Sequence, residues 1–126
     1  MASNVNPVGW FEIPVTDMDR AKKFYEAVFD IEITISEMNG ALMGWFPMAD
    51  GVSGSAGSLI KDEGYIPSSD SGVLIYFTAP DMDIIIKRIK ENGGKILMER
   101  TSIGEHGFIA TFIDSEGNRL ALHSRY

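Results

Sequence analysis

The sequence predicts an α+β protein built from two tandem βαβββ modules, which form a cupped mixed sheet with helices on its outer face. The main observation is an internal repeat: residues 11–19 (FEIPVTDMD) and 75–83 (IYFTAPDMD) lie 64 positions apart. Each copy leads from an alternating apolar segment into an Asp-Met-Asp helix start, and the same order of helix-like and strand-like segments follows both. We therefore expect the functional site to lie where the two halves meet.

The first module follows from local patterns. Residues 9–16 alternate between apolar and polar side chains, as a half-buried strand does. Asp17 is a good N-cap for a helix over 18–29, whose apolar side chains fall on one face. Asn39-Gly40 is a strong hairpin signal. The strands of this module are expected at 9–16, 31–35, 42–46 and 58–61.

The second module repeats this order after a linker at 64–72. Asp81 caps a helix over 82–92, and Asn92-Gly93-Gly94 ends it. The strands are expected at 73–78, 95–100, 108–113 and 119–123. The 126 residues suit a single domain, with module 1 at about 1–62 and module 2 at about 70–126.

Composition excludes several classes of function. The net charge is −7 with a pI near 4.7, and Lys and Arg are not clustered. This argues against nucleic acid and an anionic membrane as partners. The absence of cysteine excludes disulfides and thiolate metal sites. Met1–Trp10 has neither a basic start nor an apolar core, and no apolar run is long enough to span a membrane. We therefore expect a cytoplasmic protein.

Three segments resemble the vicinal oxygen chelate superfamily, which includes glyoxalase I, bleomycin-resistance proteins and extradiol dioxygenases. They are Ile13–Asp17 (IPVTD), Arg20–Tyr25 (RAKKFY) and Asp114–Leu120 (DSEGNRL). The stretch Ile103–Phe108 (IGEHGF) is similar in particular to small bacterial glyoxalase-like proteins. The resemblance extends over nearly the whole chain and implies the glyoxalase/bleomycin-resistance fold.

The resemblance also implies where a metal would bind. Metal-using members hold one divalent ion with four His, Glu or Gln side chains on the first, fourth, fifth and eighth strands. Carried over to this chain, three of these positions fall on Trp10, Leu74 (or Val73, one residue away) and Ala121, and the fourth strand at 55–61 contains no His, Glu or Asp. None of these residues coordinates a metal. We therefore expect no metal and no other cofactor.

The open face of the sheet is expected to form a pocket instead. Side chains two positions apart share one face of a strand, and Glu12 and Tyr76 are equivalent in the repeat. The expected ligand-binding set is Trp10, Glu12, Met43, Trp45, Leu74, Tyr76, Ala121 and His123, with His106 at the rim. The side chains expected on the opposite, helix-packed face are Phe11, Ile13, Ile75, Phe77, Leu120 and Leu122. Aromatic walls with few polar groups are typical of small-molecule sites.

Glu12 and His123 are the candidate catalytic residues. Glu12 can act as a general base or bind a cationic or hydroxylated ligand, or it is a half-solvated strand residue paired with Arg or His. If the two halves pair around a pseudo-twofold axis, Glu12 and His123 can approach each other as an acid/base pair, but His123 can equally make one structural hydrogen bond. His106, between Gly104 and Gly107, is either a mobile rim group or part of a surface turn.

Two classes of function remain open from the sequence. The first is metal-free binding of a small organic molecule in the cup, as in bleomycin-resistance proteins that sequester drugs. The alternative is a lyase, isomerase or dioxygenase-type enzyme that uses Glu12 and His123. Because family members commonly pair chains and exposed strand edges favour association, a homodimer is expected.

Overall fold

The computed structural model describes residues 6–126, so the part of the Met1–Trp10 prediction that falls on residues 1–5 lies outside it. Within this range the chain forms eight strands, two α-helices and one short 3₁₀ helix at Gly104–His106. The helices are α1 (Met18–Phe29) and α2 (Met82–Glu91). The strands are β1 (Trp10–Pro14), β2 (Thr34–Met38), β3 (Ala41–Trp45), β4 (Ala56–Lys61), β5 (Tyr76–Thr78), β6 (Lys95–Ser102), β7 (Phe108–Ile113) and β8 (Arg119–Ser124). Neither helix in the described range is both long and apolar enough to cross a membrane.

The strands form two mixed four-stranded sheets with orders β1-β4-β3-β2 and β5-β8-β7-β6. In each sheet the first strand pairs in parallel with the fourth, and the other neighbours are antiparallel. This confirms the predicted tandem βαβββ fold. No ladder of hydrogen bonds joins β1 to β5 among the described residues, so each of these strands is a sheet edge. The boundary between them is the seam referred to below.

Both helices begin at the predicted caps. The Asp17 carboxylate accepts a hydrogen bond from the Arg20 backbone N–H at 3.0 Å, and Asp81 accepts one from that of Ile84 at 3.5 Å. After α2, the Gly94 N–H donates to the Ile89 carbonyl at 2.9 Å. The Asn39-Gly40 hairpin is also confirmed, because both residues have positive φ (53° and 85°), as a type I′ turn requires.

Two strands begin later than the sequence predicts. The strand expected at 31–35 begins at Thr34, because Asp30 takes a left-handed conformation (φ 53°) and the Ile33 N–H donates to the Glu26 carboxylate at 2.9 Å. The Ile33 N–H is therefore not available for hydrogen bonds within the sheet. The strand expected at 73–78 is reduced to Tyr76–Thr78. Leu74, expected inside the fifth strand, therefore lies before it.

The two modules share one hydrophobic core. Its buried members come from both helices and from one face of both sheets, including Ile13, Phe24, Leu59, Ile89 and Phe112, which are at most 2% exposed. The strands of one sheet lie within residues 10–61 and those of the other within 76–124. The single domain with modules at about 1–62 and 70–126 stays a prediction, and the shared core supports cooperative folding of the two halves.

A carboxylate of module 2 is bound at the start of α1. Glu116, in the turn between β7 and β8, accepts hydrogen bonds from the Thr16 and Asp17 backbone N–H groups, both at 2.9 Å. It also forms an ion pair with Arg20, whose Nε donates at 2.6 Å. Burial opposes the ionised form of Glu116, but these donors lower its pKa from 4.5 to about 2. A negative charge at a helix N-terminus is also favourable.

Asp114 connects the same turn to the core. Its Oδ1 accepts the backbone N–H groups of Glu116 and Asn118, both at 2.8 Å, which fixes the turn. Its Oδ2 accepts the Tyr25 hydroxyl at 2.6 Å. Burial raises the pKa of Asp114 despite these hydrogen bonds, and burial together with Asp114 raises that of Tyr25. The β7–β8 turn therefore contacts α1 at two places: Glu116 binds the start of the helix, and Asp114 binds Tyr25 in its middle.

We expect Glu116→Gln to destabilise the protein by about 2 kcal/mol at neutral pH, because hydrogen bonds to a charged acceptor are lost. A carboxyl whose pKa is lower in the folded state stabilises the fold fully above its ordinary value of 4.5, and this contribution disappears as the pH falls through about 2. The stability difference between the two proteins should therefore shrink below pH 4.5. Urea denaturation across the acidic range measures it.

The exposed Glu37→Gln is the matched control, because the Glu37 side chain makes no hydrogen bond or ion pair with any residue from 6 to 126. It should leave stability nearly unchanged at every pH. A Glu116→Gln difference that is absent at neutral pH, or that grows on acidification, would contradict the role given to this carboxylate.

Candidate functional site

The largest described cavity lies in the seam between β1 and β5 and has a volume of about 850 Å³. We call it the seam cavity. Its lining residues come from both strands, the end of α1, the end of β3 and the loop before β4. They are Val8, Trp10, Phe11, Glu12, Phe29, Ile31, Phe46, Pro47, Ser53, Gly54, Ser55, Val73, Leu74, Ile75, Tyr76, Phe77 and Thr78. The volume is within the range of small-molecule sites.

Aromatic side chains from the core form one wall of the seam cavity. Phe77 is central: its ring centroid lies 4.7 Å from that of Phe29, 5.9 Å from Phe46 and 6.1 Å from Phe11. Phe11 lies against Gly57 of β4, where a Cβ atom would come within 2.6 Å of its ring. A glycine at that position is therefore required for this placement of Phe11.

Sequence reasoning missed this aromatic wall. Phe11 and Phe77 were expected to face the helices only, and Phe29 and Phe46 were not expected at the site. They line the cavity because the two sheets part at the seam, which gives a ligand access to side chains of the helix-packed face. The unpaired edges of β1 and β5 are a tertiary feature, and no local pattern in the chain encodes them.

Glu12 is the only Asp, Glu, Lys, Arg or His among the described residues that line the cavity. It is half-buried, and its register partner on β4 is Ser58. Its side chain makes no hydrogen bond and no ion pair within residues 6–126, so its carboxylate remains available to a ligand. Trp10, Leu74 and Tyr76 also line this cavity. Trp10 and Tyr76 are 37% and 49% exposed and stand at the mouth.

Trp45 and Met43 support the mouth of the cavity but do not line it. The ring centroids of Trp45 and Trp10 are 5.3 Å apart in an edge-to-face arrangement, and the Trp45 indole N–H donates to the Ser36 hydroxyl at 2.6 Å. Met43 is 5% exposed and packs with Ala41 and Ile60 beneath Trp45. Both were expected to line the ligand site, and neither is in the lining of the seam cavity.

The histidines lie elsewhere. His123 and His106 share a separate depression with Arg125, and the His123 Nε2 atom is hydrogen-bonded to the His106 carbonyl at 2.8 Å. None of the described cavities is lined by both Glu12 and His123. Of the two possibilities left open for His123, the structure shows the single hydrogen bond. His123 was expected in the cavity but does not line it, although its register partner Thr78 does. His106 lies in the exposed 3₁₀ turn, and Ala121 is fully buried.

The metal positions implied by the family resemblance do not fit a metal ion. Trp10 has no donor lone pair for a metal, Leu74 and Ala121 are aliphatic, and β4 (AGSLIK) has no His, Asp or Glu. No group of three or more His, Cys, Asp or Glu side chains between residues 6 and 126 is arranged to hold one. The donor chemistry, rather than any empty position, argues against a metal mechanism.

Comparison with known proteins gives consistent results. A family model described as the Glyoxalase/Bleomycin resistance protein/Dioxygenase superfamily matches residues 8–122. A glyoxylase-like domain-containing protein from Didymella fabae is 32% identical over 124 residues, covering 94% of this chain and 93% of that protein.

Solved structures show the same fold at low identity. A glyoxylase/bleomycin resistance protein/dioxygenase domain from Frankia sp. EAN1pec superposes with a TM-score of 0.75 at 15% identity, covering 98% of this chain and all of the other. A glyoxalase/bleomycin resistance protein from Albidiferax ferrireducens T118 gives 0.72 at 18%, covering 95% and 100%. Glyoxalase I from Zea mays gives 0.67 at 20%, covering 94% of this chain but only 46% of the maize chain.

Neighbouring residues of β1 provide a test of the register. Ile13 is 1% exposed in the core, so Ile13→Ala should cost on the order of 2–4 kcal/mol. Glu12→Ala should change the free energy of unfolding by less than about 0.5 kcal/mol, because Glu12 faces the cavity without partners in the described chain. Urea denaturation compares the two. A larger loss for Glu12→Ala than for Ile13→Ala would place Glu12 in the core and remove it from the site.

We expect purified, dialysed protein to contain no stoichiometric divalent metal, because the implied positions have no donors. Elemental analysis by mass spectrometry measures this directly. About one equivalent of Zn, Ni, Fe or Mn would refute the expectation. If the metal then disappeared in Glu12→Gln or His123→Ala, these side chains would be replacement ligands.

Proposed function

Because this chain belongs to the Glyoxalase/Bleomycin resistance protein/Dioxygenase superfamily, we propose that it binds a small organic molecule in the seam cavity and does so without a metal. The observation that carries the proposal is the cavity itself: aromatic side chains form its wall, and Glu12 is the one charged group that residues 6–126 contribute to the lining. Binding a ligand without chemically converting it, as in sequestration by bleomycin-resistance proteins, requires no catalytic residues.

Charge and shape favour a ligand with an apolar body and a positively charged or hydroxylated group. The aromatic wall removes an apolar body from water, which supplies most of the binding free energy. A carboxylate half-buried beside that wall attracts a cation or accepts a hydrogen bond more strongly than it would in water. The net charge of −7 also attracts cationic molecules.

The enzyme alternative is less well supported. A lyase or isomerase that used Glu12 and His123 together needs both side chains at one substrate, and they line different depressions. A dioxygenase-type reaction needs a metal for which the implied positions offer no donors. Turnover that is lost in both Glu12→Gln and His123→Ala would nevertheless establish the enzyme and overturn pure binding.

Tryptophan fluorescence tests the binding proposal, because the chain has two tryptophans, one at the cavity mouth and the other packed against it. We expect 4-phenylbutylamine to change the emission saturably and to bind more tightly than the neutral butylbenzene. Glu12→Gln should weaken amine binding about tenfold and leave butylbenzene binding unchanged. Native mass spectrometry of the freshly purified protein would identify a natural ligand.

Glu37→Gln serves as the control, since Glu37 is exposed on β2 and does not line the seam cavity. It should bind both probes as the unaltered protein does. Failure of either probe to bind would contradict a ligand site in the seam. If Glu12→Gln and Glu37→Gln weakened amine binding equally, Glu12 would act only through the net charge of the protein.

We also propose that the protein is a homodimer. The strands β1, β2, β5 and β6 are sheet edges, and exposed edges favour association. Val8 and Val73, 61% and 89% exposed at the cavity, add apolar surface beside two of these edges. Sedimentation equilibrium at high micromolar concentration should give the mass of two chains. A monomer under these conditions would contradict the proposal.

A further inference from the structure

A second, polar depression of about 210 Å³ adjoins the seam cavity. Glu12, Val73 and Ile75 line both, so the two spaces share a wall on which Glu12 stands. Arg119, the first residue of β8, also lines the smaller depression, which we call the head pocket. One acidic and one basic residue therefore line the same small space.

The head pocket is held by specific hydrogen bonds. The Asn118 side chain donates to the Pro14 carbonyl at 2.7 Å, which joins the end of β1 to the start of β8. The same side chain accepts the Ser68 N–H at 3.2 Å, and the Arg119 N–H donates to the Ser68 carbonyl at 3.0 Å. These hydrogen bonds join the linker residue Ser68 to the start of β8 and, through Asn118, to the end of β1, the strand that carries Glu12.

Both charged side chains are left without partners inside the described chain. Glu12 and Arg119 are each half-buried, and neither side chain makes a hydrogen bond or an ion pair within 4.0 Å to any residue from 6 to 126. Partly buried charges are costly unless they are paired. Two opposite charges that share a depression without touching leave room for a group that pairs with both.

We infer that the head pocket binds the polar head of the ligand whose apolar body occupies the seam cavity, and that this head carries both an ammonium and a carboxylate. The inference rests on the proposed function. The ammonium pairs with Glu12, and the carboxylate accepts the forked N–H donors of Arg119. A purely cationic head would be repelled by Arg119, and a purely anionic head would be repelled by Glu12. The ligand class is therefore a zwitterion with a bulky apolar side chain, such as an aromatic amino acid.

Four related probes separate the contributions: 3-(2-naphthyl)alanine, 2-(2-naphthyl)ethylamine, 3-(2-naphthyl)propanoate and the neutral 2-methylnaphthalene. Each is titrated into the full-length protein near neutral pH, and amide chemical shifts give the affinity and the location. We expect naphthylalanine to bind about tenfold more tightly than either singly charged relative. The shifts should include Glu12, Val73 and Arg119.

Two variants assign the two halves of the head. Glu12→Gln should remove the preference for naphthylalanine over the propanoate, and Arg119→Gln should remove its preference over the ethylamine. Arg125→Gln, which changes an exposed arginine outside both spaces, should remove neither. The amide spectra show whether each variant is folded. If a variant does not fold, the affinities of the four probes for the unaltered protein test the head pocket instead.

The outcomes distinguish this inference from the function on which it rests. Binding of 2-methylnaphthalene without a preference for the zwitterion overturns the head pocket and leaves the apolar cavity intact. A preference that persists in both variants also overturns it, because the head would then be recognised elsewhere. No binding by any of the four probes overturns both.

Discussion

The Glu116 carboxylate at the first turn of α1 is the interaction on which the arrangement of the two modules depends. It joins residues about 100 positions apart in sequence: two backbone N–H groups and Arg20 of module 1 bind one side chain of module 2. Its neighbour Asp114 orders the turn and accepts the Tyr25 hydroxyl. A helix N-terminus needs acceptors for its free N–H groups, and here the other half of the molecule supplies one.

The same contact extends to the candidate site. Tyr25, held by Asp114, packs at ring distances of 5.4 Å from Phe46 and 6.0 Å from Phe77, both of which line the seam cavity. The corresponding connection of module 1, between β3 and β4, has ten residues (46–55), whereas the β7–β8 turn has five (114–118). In this longer loop, Ser53–Ser55 line the seam cavity. The two modules therefore differ at this connection: the β7–β8 turn binds the start of α1, and the β3–β4 loop borders the cavity.

The implied metal positions carry side chains without metal donors, and one of them borders a largely apolar cavity. Trp10, at an implied metal position, stands at the cavity mouth against Trp45, where it offers a stacking surface rather than a donor. A site of this kind derives affinity from apolar burial and uses its few charges for orientation. Glu12 and Arg119 are suited to orientation, because the hydrogen bonds of Asn118 position the strands that carry them.

The sequence alone determined the two βαβββ modules, the caps Asp17 and Asp81, the hairpin at Asn39-Gly40, and a place for Trp10, Glu12, Leu74 and Tyr76 beside one another. These features depend on short-range periodicity and on the repeat, which are written in the order of residues. Only the tertiary structure decided that β1 and β5 do not pair, that Phe29, Phe46 and Phe77 reach the cavity, and that His123 and Glu12 line different depressions. Those outcomes follow from how two sheets pack around one core and from a carboxylate bound across roughly 100 residues. Contacts of that range leave no local pattern in the chain.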